Sequence, residues 1–141
     1  MRSSGGHHGD VFTSPRVVCY MRDQVGYDSH ADLRNVRILE PACGEGQFVL
    51  EIARRLLRSA ACHHFDANEA FQRNVRAYDI DGTKIERCRR RLADIGIYPS
   101  SDNLLAADFL TCRIGATDEV VGNPPYVRYE HIPQNMRDYC R

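Results

Sequence analysis

The chain has 141 residues, of which 43% are hydrophobic and 27% are charged, and these proportions exclude a disordered or fibrous protein. Nineteen basic residues balance nineteen acidic ones, so the chain lacks the net positive charge of proteins that coat nucleic acid. No apolar run approaches the ~20 residues of a membrane-spanning helix, and the N-terminus has no signal-peptide core, so we expect a cytoplasmic protein without membrane contact.

The first residues predict a leader and a short helix. Residues 1–9 are rich in Gly, Ser and His, and we expect them to be flexible. Ser14 followed by Pro15 is typical of a helix start, because Ser caps the helix and Pro is tolerated at its first position. Apolar residues then recur on one face as far as Gly26, at Val17, Val18, Met21 and Val25. The polar residues 26–35 predict a connection.

Strand and helix patterns alternate along the rest of the chain. Short, mostly apolar segments predict four strands, at residues 36–39, 74–80, 103–107 and 118–122. Helical periodicity occupies residues 48–57, and a capping box at Thr83 and Glu86 opens a second helix that ends at Gly96. Because strands alternate with helices, we expect a parallel sheet with right-handed crossovers, in a doubly wound α/β fold.

Residues 59–72 fit no element by their pattern, and they contain the side chains most like metal ligands. Cys62, His63, His64 and Asp66 lie close together, but they lack the ligand spacing of a known zinc site. The six cysteines of the chain are spread out, without a Cys-x-x-Cys pair. We therefore expect reduced thiols and no metal.

In parallel sheets, ligands bind beyond the carboxyl ends of the strands, and the loop after the first predicted strand suits a ligand. Gly44 and Gly46 let the backbone approach a ligand at the N-terminus of the next helix. The third glycine of a dinucleotide fingerprint is replaced by Val49. The loop begins with an acidic residue. A carboxylate would repel a pyrophosphate, and it suits a cation such as the ammonium group of S-adenosylmethionine. The loop reads Glu40, Pro41, Ala42, Cys43, Gly44, Glu45, Gly46.

Acidic residues also follow the second and third predicted strands. Asp79 can accept both hydroxyls of a ribose, whereas Asp81 stands where a helix cap is expected. Asp108 and Phe109 pair an acceptor with an aromatic ring, which suits an adenine. Taken alone, this second pair is better interpreted as a turn residue and a core aromatic.

The residues after the fourth predicted strand carry the strongest signal, and they are Asn123, Pro124, Pro125 and Tyr126. Two prolines remove two backbone donors and leave fixed carbonyl groups. Asn123 adds an amide oxygen, and Tyr126 adds a flat apolar face. Together they can hold the amino group of a planar molecule between acceptors while its ring stacks on the tyrosine.

These segments together resemble the S-adenosylmethionine-dependent DNA adenine-N6 methyltransferases. Residues 39–48 resemble the first motif of that family, and residues 123–126 resemble its catalytic motif. Residues 127–130 resemble the type IIG, Eco57I-like branch. Residues 12–15 resemble the N-terminal motif, in which Thr13 would contact the methionine end of the cofactor, although Ser14 departs from the usual proline. The order of the motifs is that of the gamma arrangement.

The resemblance implies a Rossmann-like class I methyltransferase fold, with the first four strands of its sheet in the order 3-2-1-4 and residues 10–141 forming part of the catalytic domain. It implies that Asn123 and the Pro124 carbonyl accept the amino hydrogens of an adenine flipped out of double-stranded DNA, which stacks on Tyr126. The system would be restriction–modification or a related defence. The implied cofactor-binding residues are Thr13, Glu40, Pro41, Ala42, Cys43, Gly44, Gly46, Asp79, Ile80, Asp108 and Phe109.

Two alternatives remain open. A methyltransferase acting on a protein glutamine or an RNA base shares the Asn-Pro-Pro-Tyr motif but usually has a different first motif. The second alternative is an inactive remnant, or a subunit that needs a partner chain. The family's domain has three further strands and a target-recognition region, and without them Val120 and Val121 would lie on an exposed apolar edge. We therefore expect a C-terminal half or a partner chain to supply target recognition.

Overall fold

The computed structural model of the protein describes residues 14–24 and 26–123. The predicted leader and the segment after Asn123 lie outside these residues. The elements are α1 (Pro15–Gln24), β1 (Ile38–Glu40), α2 (Gln47–His63), α3 (Ala67–Asn74), β2 (Val75–Asp79), α4 (Gly82–Asp94), β3 (Leu104–Ala106), a single 3-10 turn (Phe109–Thr111) and β4 (Glu119–Val120). No described helix is long and apolar enough to cross a membrane.

The four strands form one parallel sheet in the order β3-β2-β1-β4, which confirms the predicted α/β fold and strand order. β1 lies between β2 and β4, with Ile38 opposite both Val75 and Glu119. Ala77 of β2 lies opposite Leu104 of β3. Because all strands run the same way, the loops that follow them meet at one edge of the sheet.

The hydrophobic core lies on one face of this sheet. Its strand side chains alternate along the strands, as a pleated backbone requires, and they are Ile38, Val75, Ala77, Leu104 and, just beyond β4, Val121. Ile52 and Leu56 of α2 and Cys88 and Leu92 of α4 pack against them with 1% or less exposure. The helical spacing of these residues explains why α2 and α4 cover this face.

α1 is fixed to α2 by Arg55, whose side chain is buried. Its guanidinium pairs with Asp23 at 2.7 Å and with Glu51 at 3.0 Å, and it donates to the carbonyl of Tyr27 at 3.1 Å. Ser14 begins α1 as predicted, since its hydroxyl accepts from the N–H of Val17 at 3.4 Å. The segment that precedes the sheet is therefore held by a charge network.

The stretch 59–72, which the sequence left unassigned, is helical on both sides of a tight break. α2 continues to His63, and His64 ends it with φ +57° and an N–H bonded to the carbonyl of Ala60. Asp66 then caps α3 by accepting from the N–H of Glu69 at 2.9 Å. Nε2 of His63 lies 2.9 Å from the carbonyl oxygen of His30. These side chains therefore shape the connection, and the described residues contain no cluster of three potential metal ligands.

Several predicted boundaries are wrong by a few residues. β1 starts at Ile38 because Val36 lies in a turn, its N–H donating to Leu33 at 3.2 Å. Asn74 belongs to α3 rather than to the second strand. The cap of α4 is Asp81, which accepts from the N–H and the hydroxyl of Thr83, so Thr83 is not the capping residue.

Arg37 and Asp118 form an ion pair that joins the amino ends of β1 and β4. The guanidinium donates to both carboxylate oxygens, at 2.7 and 3.0 Å. Side-chain hydrogen bonds from Arg37 lower the pKa of Asp118 to about 2, below its usual 3.8. The pair therefore stabilises the folded state above pH 3.8, and this stabilisation is lost as the pH falls toward 2.

We expect Asp118→Asn to lower the midpoint of thermal unfolding slightly at pH 7, because exposed ion pairs contribute little. The difference in unfolding midpoint between this variant and the parent protein should shrink as the pH falls from 3.8 toward 2. Asp94→Asn, at an exposed acid of α4, is the matched control and should show no such convergence. A difference that stays constant down to pH 2 would contradict this assignment.

Candidate functional site

The loop after β1 is fastened to the end of β2. The N–H of Cys43 donates to the carbonyl of Tyr78 at 2.8 Å, and the N–H of Gly44 donates to Oδ2 of Asp79 at 2.9 Å. The other carboxylate oxygen of Asp79 accepts from the N–H of Asp81 at 2.8 Å. A carboxylate offers about four acceptor positions, so Asp79 can hold this loop and still accept two further hydrogen bonds.

The two glycines of the loop are required for different reasons. Gly44 has φ +54°, and a Cβ built on it meets nothing within 4 Å, so a side chain there would project into open space. Gly46 has φ +90°, and its Cβ would lie 2.3 Å from Sγ of Cys88. The absence of a side chain at Gly46 therefore makes room for α4, and the predicted approach of a ligand to its backbone stays a prediction.

Two arginines of α4 hold this loop from outside. Arg87 pairs with the Glu45 carboxylate at 2.6 Å, and Arg91 donates to the Glu45 carbonyl at 2.8 Å. Arg87 stays 61% exposed on the solvent side of α4, whereas Arg91 is half-buried. Their spacing of four residues, on one side of the helix that follows Asp79, is a sequence signal for two arginines that reach the same loop.

The end of β1 adjoins the end of β4. Glu40 closes β1 with its side chain only 2% exposed, an unusual depth for an acid. A Cβ built on Gly122 would lie 3.4 Å from Cδ of Pro41 and 3.6 Å from Cγ of Glu40. Gly122 immediately precedes Asn123, so the structure brings the start of the glycine loop and Asn123 together. The sequence did not single out Gly122.

Ile80 and Phe109 lie in different environments beside Asp79. Ile80 is 81% exposed, although it is apolar. Phe109 is half-buried and packs edge-on against Tyr78, with 5.6 Å between ring centroids. Asp108 accepts from the N–H of Leu110 at 3.0 Å and caps the 3-10 turn, which is the turn role that the pair suggested when taken alone.

Cys43 is buried, and its thiol belongs to the core rather than to the loop surface. Hydrogen bonding with Cys88, followed by desolvation, raises the pKa of the Cys43 thiol. The thiol therefore stays protonated, and Cys43 meets the site through its backbone. Pro41 and Ala42 are half-buried between Glu40 and the glycines.

Most of the predicted site residues thus gather at the carboxyl edge of the sheet, on the loops that follow β1, β2, β3 and β4. Four of them, Thr13, Pro124, Pro125 and Tyr126, lie outside the described residues. The edge combines oxygen acceptors, an open glycine backbone at the N-terminus of α2, and an exposed apolar side chain. Such a set can bind a nucleoside that carries a positively charged group.

Comparison with known proteins finds related sequences, although no family model matches the chain. The chain is 37% identical over 139 residues to the Type II methyltransferase M.XhoI of Xanthomonas vasicola, which covers 89% of this chain and 26% of that protein. It is 31% identical over 147 residues to the Type II methyltransferase M.BstVI of Geobacillus stearothermophilus, covering 92% and 26%. The chain therefore spans about a quarter of the length of these curated relatives.

A solved structure shares the fold. It is a modification subunit assigned to a type I restriction enzyme from Vibrio vulnificus YJ016, with a TM-score of 0.56 and 23% sequence identity. The likeness covers 74% of this chain and 20% of that subunit. The chain thus shares the Rossmann-like α/β fold of this subunit, with four parallel strands of the sheet described.

Proposed function

We propose that this chain is the cofactor-binding and catalytic part of a DNA methyltransferase that acts on the amino group of adenine. One observation carries the proposal: the glycine loop is bonded to Asp79 at 2.9 Å, and its start adjoins Gly122, directly before Asn123. It supports the proposal because Asp79, which would bind the nucleoside, and Asn123, which would act as an amide acceptor, both follow strands at the same edge of the sheet. The relatives named Type II methyltransferases support methyl transfer to DNA in a restriction–modification system.

The residues of this edge fit S-adenosylmethionine. Asp79 would bind the ribose hydroxyls through its remaining acceptor positions, and the exposed Ile80 would contact the face of the adenine ring. Asp108 and Phe109 would border the same ring. Glu40 would lie nearest the charged methionine end, where its burial strengthens attraction to a cation. Thr13 is proposed to contact that end as well.

The chain's own contribution to the reaction is orientation. S-adenosylmethionine supplies an activated methyl group when bound. The amino nitrogen of adenine is a weak nucleophile, because its lone pair is delocalised into the ring. The amide oxygen of Asn123 and the carbonyl of Pro124 would accept its two hydrogens and favour a pyramidal nitrogen. Tyr126 would stack on the flipped base, whose extrusion costs a few kcal/mol.

The proposal extends to the type of enzyme. Residues 127–130 and the order of the motifs favour a type IIG, Eco57I-like enzyme in which target recognition follows the catalytic motif. The relatives are about four times as long as the matched region, which supports a larger protein or a partner chain.

Product analysis tests the proposed reaction. A chimera in which residues 1–141 replace the matched segment of the Xanthomonas relative is incubated with methyl-labelled S-adenosylmethionine and unmethylated duplex DNA. The digested DNA should contain label as N6-methyladenine. Label found only in the protein or in N4-methylcytosine would contradict the proposed substrate.

Replacing Asp79 with alanine should raise the Kd of S-adenosylhomocysteine about a hundredfold, because two hydrogen bonds to a charged group are lost. Calorimetric titration of the 141-residue chain measures this. Asp81→Ala is the matched control, since Asp81 caps α4 and accepts from Thr83 at 2.8 Å rather than bonding the glycine loop. Unchanged affinity in Asp79→Ala, or an equal loss in both variants, would remove Asp79 from the ribose site.

A further inference from the structure

Arg55 of α2 is a buried cation to which the cofactor site gives no role. Its side chain is only 10% exposed, and arginine is almost never buried at this depth without partners. Nη1 donates to Oδ1 of Asp23 at 2.7 Å, and Nε donates to Oε1 of Glu51 at 3.0 Å. One guanidinium is thus held between a carboxylate of α1 and a carboxylate of α2.

The same guanidinium also bonds to the backbone of the segment around α1. Nη2 donates to the carbonyl of Cys19 at 3.4 Å, within α1, and Nη1 donates to the carbonyl of Tyr27 at 3.1 Å, just after this helix. The donors of a guanidinium are fixed in one plane, so acceptors on two elements constrain the angle between these elements as well as their distance. Arg55 therefore constrains both the place and the direction of α1 on α2.

The helix α1 has few apolar contacts that could fix its direction instead. Of its described side chains, Val18 is fully buried and Met21 packs partly against the core, whereas Val17 and Tyr20 are 46% and 64% exposed. Its 10 residues are also fewer than the ~12–15 that an isolated helix needs to be even marginally stable in water. The orientation of α1 thus depends largely on the polar contacts of Arg55.

The place where α1 meets α2 connects Arg55 with the cofactor site. The contact lies at the helical turn of Glu51 and Arg55, whereas the connection after α1 contacts α2 further along, at Ser59 and His63. The helix α1 therefore lies on the part of α2 that is closer to the glycine loop. It begins two residues after Thr13, to which the proposed function assigns the methionine end of the cofactor.

We propose that Arg55 is a positioning residue, which orients α1 so that Thr13 can bind the amino-acid end of S-adenosylmethionine. A buried ion pair commonly contributes no more stability than an apolar contact of similar size, because its charges lose their hydration. The network of Arg55 is therefore better explained by the arrangement that it specifies than by the stability that it adds. The inference rests on the proposed function, and it extends that function to a residue that does not contact the cofactor.

Two ligands separate positioning from a merely structural role. S-adenosylhomocysteine carries the amino-acid end, whereas methylthioadenosine has the same nucleoside and sulfur without it. Calorimetric titration of the 141-residue chain measures both Kd values. Arg55→Met keeps an unbranched apolar side chain and removes the guanidinium. It should raise the Kd of S-adenosylhomocysteine about tenfold, the equivalent of one lost hydrogen bond, and leave the Kd of methylthioadenosine unchanged.

The intermediate variant and the control are also on α2. Arg55→Lys keeps the charge, but a single ammonium cannot reproduce the planar set of contacts, so the Kd of S-adenosylhomocysteine should rise by only about threefold. Arg54→Met changes the neighbouring arginine, which is exposed, and should leave both Kd values unchanged. In Arg55→Met, amide exchange should become faster in residues 17–24 of α1 and stay unchanged in residues 67–74 of α3.

A second variant keeps the test valid if Arg55→Met does not fold, which circular dichroism shows. Asp23→Ala removes the carboxylate on α1 that bonds to Arg55, and the Asp23 side chain is 61% exposed, so this variant should fold. It should raise the Kd of S-adenosylhomocysteine by about threefold, with the Kd of methylthioadenosine again unchanged.

Equal loss of affinity for both ligands would show that Arg55 only stabilises the fold, and it would overturn the inference. Unchanged affinity of the variants for S-adenosylhomocysteine, or unchanged amide exchange in α1, would overturn it as well. A parent chain that binds the two ligands equally would show that the amino-acid end is not recognised, again against the inference alone. A parent chain that binds neither ligand would contradict the proposed function, and the inference with it. The two failures therefore give different results.

Discussion

Replacement of Gly46 with alanine is expected to destabilise the protein by about 3 kcal/mol or more. The new Cβ would lie 2.3 Å from Sγ and 3.1 Å from Cβ of Cys88, which is fully buried. Overpacking a core of this kind typically costs ~1–3 kcal/mol. The backbone adds to this, because φ +90° is strained for any residue with a side chain. Such a loss is a large part of the ~5–15 kcal/mol that holds a domain folded. Chemical denaturation measures it.

Gly44→Ala is the matched control for this change. Gly44 also has a positive φ, of +54°, but a Cβ there meets nothing within 4 Å. Gly44→Ala should lower the free energy of unfolding by only ~1–2 kcal/mol, the usual penalty for a side chain in the left-handed region. In a double-mutant cycle, Cys88→Ala should relieve part of the cost of Gly46→Ala. If Gly46→Ala lowered the free energy of unfolding equally in the parent protein and in the Cys88→Ala variant, a clash with Cys88 would be contradicted.

Replacement of Asn123 with alanine is expected to lower the rate of methyl transfer about a hundredfold to a thousandfold. The side chain is proposed to accept a hydrogen from the reacting amino group, and loss of one such aligned group costs about this much. Binding of S-adenosylhomocysteine should be unchanged, because Asn123 is assigned to the target base rather than to the cofactor. Turnover is measured in the chimera, and binding in the 141-residue chain.

Asn123→Asp supplies the comparison, since it keeps an acceptor oxygen at the same position. It should retain more activity than Asn123→Ala. If Asn123→Ala instead weakened cofactor binding as strongly as it slowed turnover, the assignment of Asn123 to the target base rather than to the cofactor would be wrong. Equal activity of the alanine variant and the parent would remove Asn123 from the mechanism altogether.

The strands themselves could be predicted from the sequence, because each is a short apolar run followed by a chemically unusual loop. Their order, 3-2-1-4, was implied by the family resemblance, and it is the order observed. The carboxyl edge was predictable for the same reason, since parallel strands place their following loops together. The contact between Gly44 and Asp79 follows from that topology, but its length and direction do not.

Other features depend on contacts between distant residues, which periodicity does not encode. A side chain at Gly46 would collide with Cys88, which lies on another helix. The sequence could not show this contact, so it indicated only the approach of a ligand as the reason for the glycine. The contacts of Arg87 and Arg91 with Glu45 could not be predicted, because Glu45 lies 42 and 46 residues away from them in sequence.

The predicted ends of α4 and α2 were wrong for local reasons. Asp81 and Thr83 both suit a helix cap, and the structure uses the earlier residue. His64 ends α2 with φ +57°, a conformation rare outside glycine, so no sequence signal marked the break before α3.

Hydrogen exchange with S-adenosylhomocysteine tests the central claim most directly, namely that this chain binds the cofactor at the carboxyl edge of its sheet. Amide exchange is measured on the 141-residue chain with and without the ligand. Binding is expected to slow exchange in residues 40–46, 78–82 and 106–110, where the N–H groups of Gly44, Asp81 and Leu110 are bonded to site carboxylates. It should leave residues 113–118, at the opposite edge, unchanged. Absence of binding, or slower exchange confined to residues 113–118, would contradict the claim.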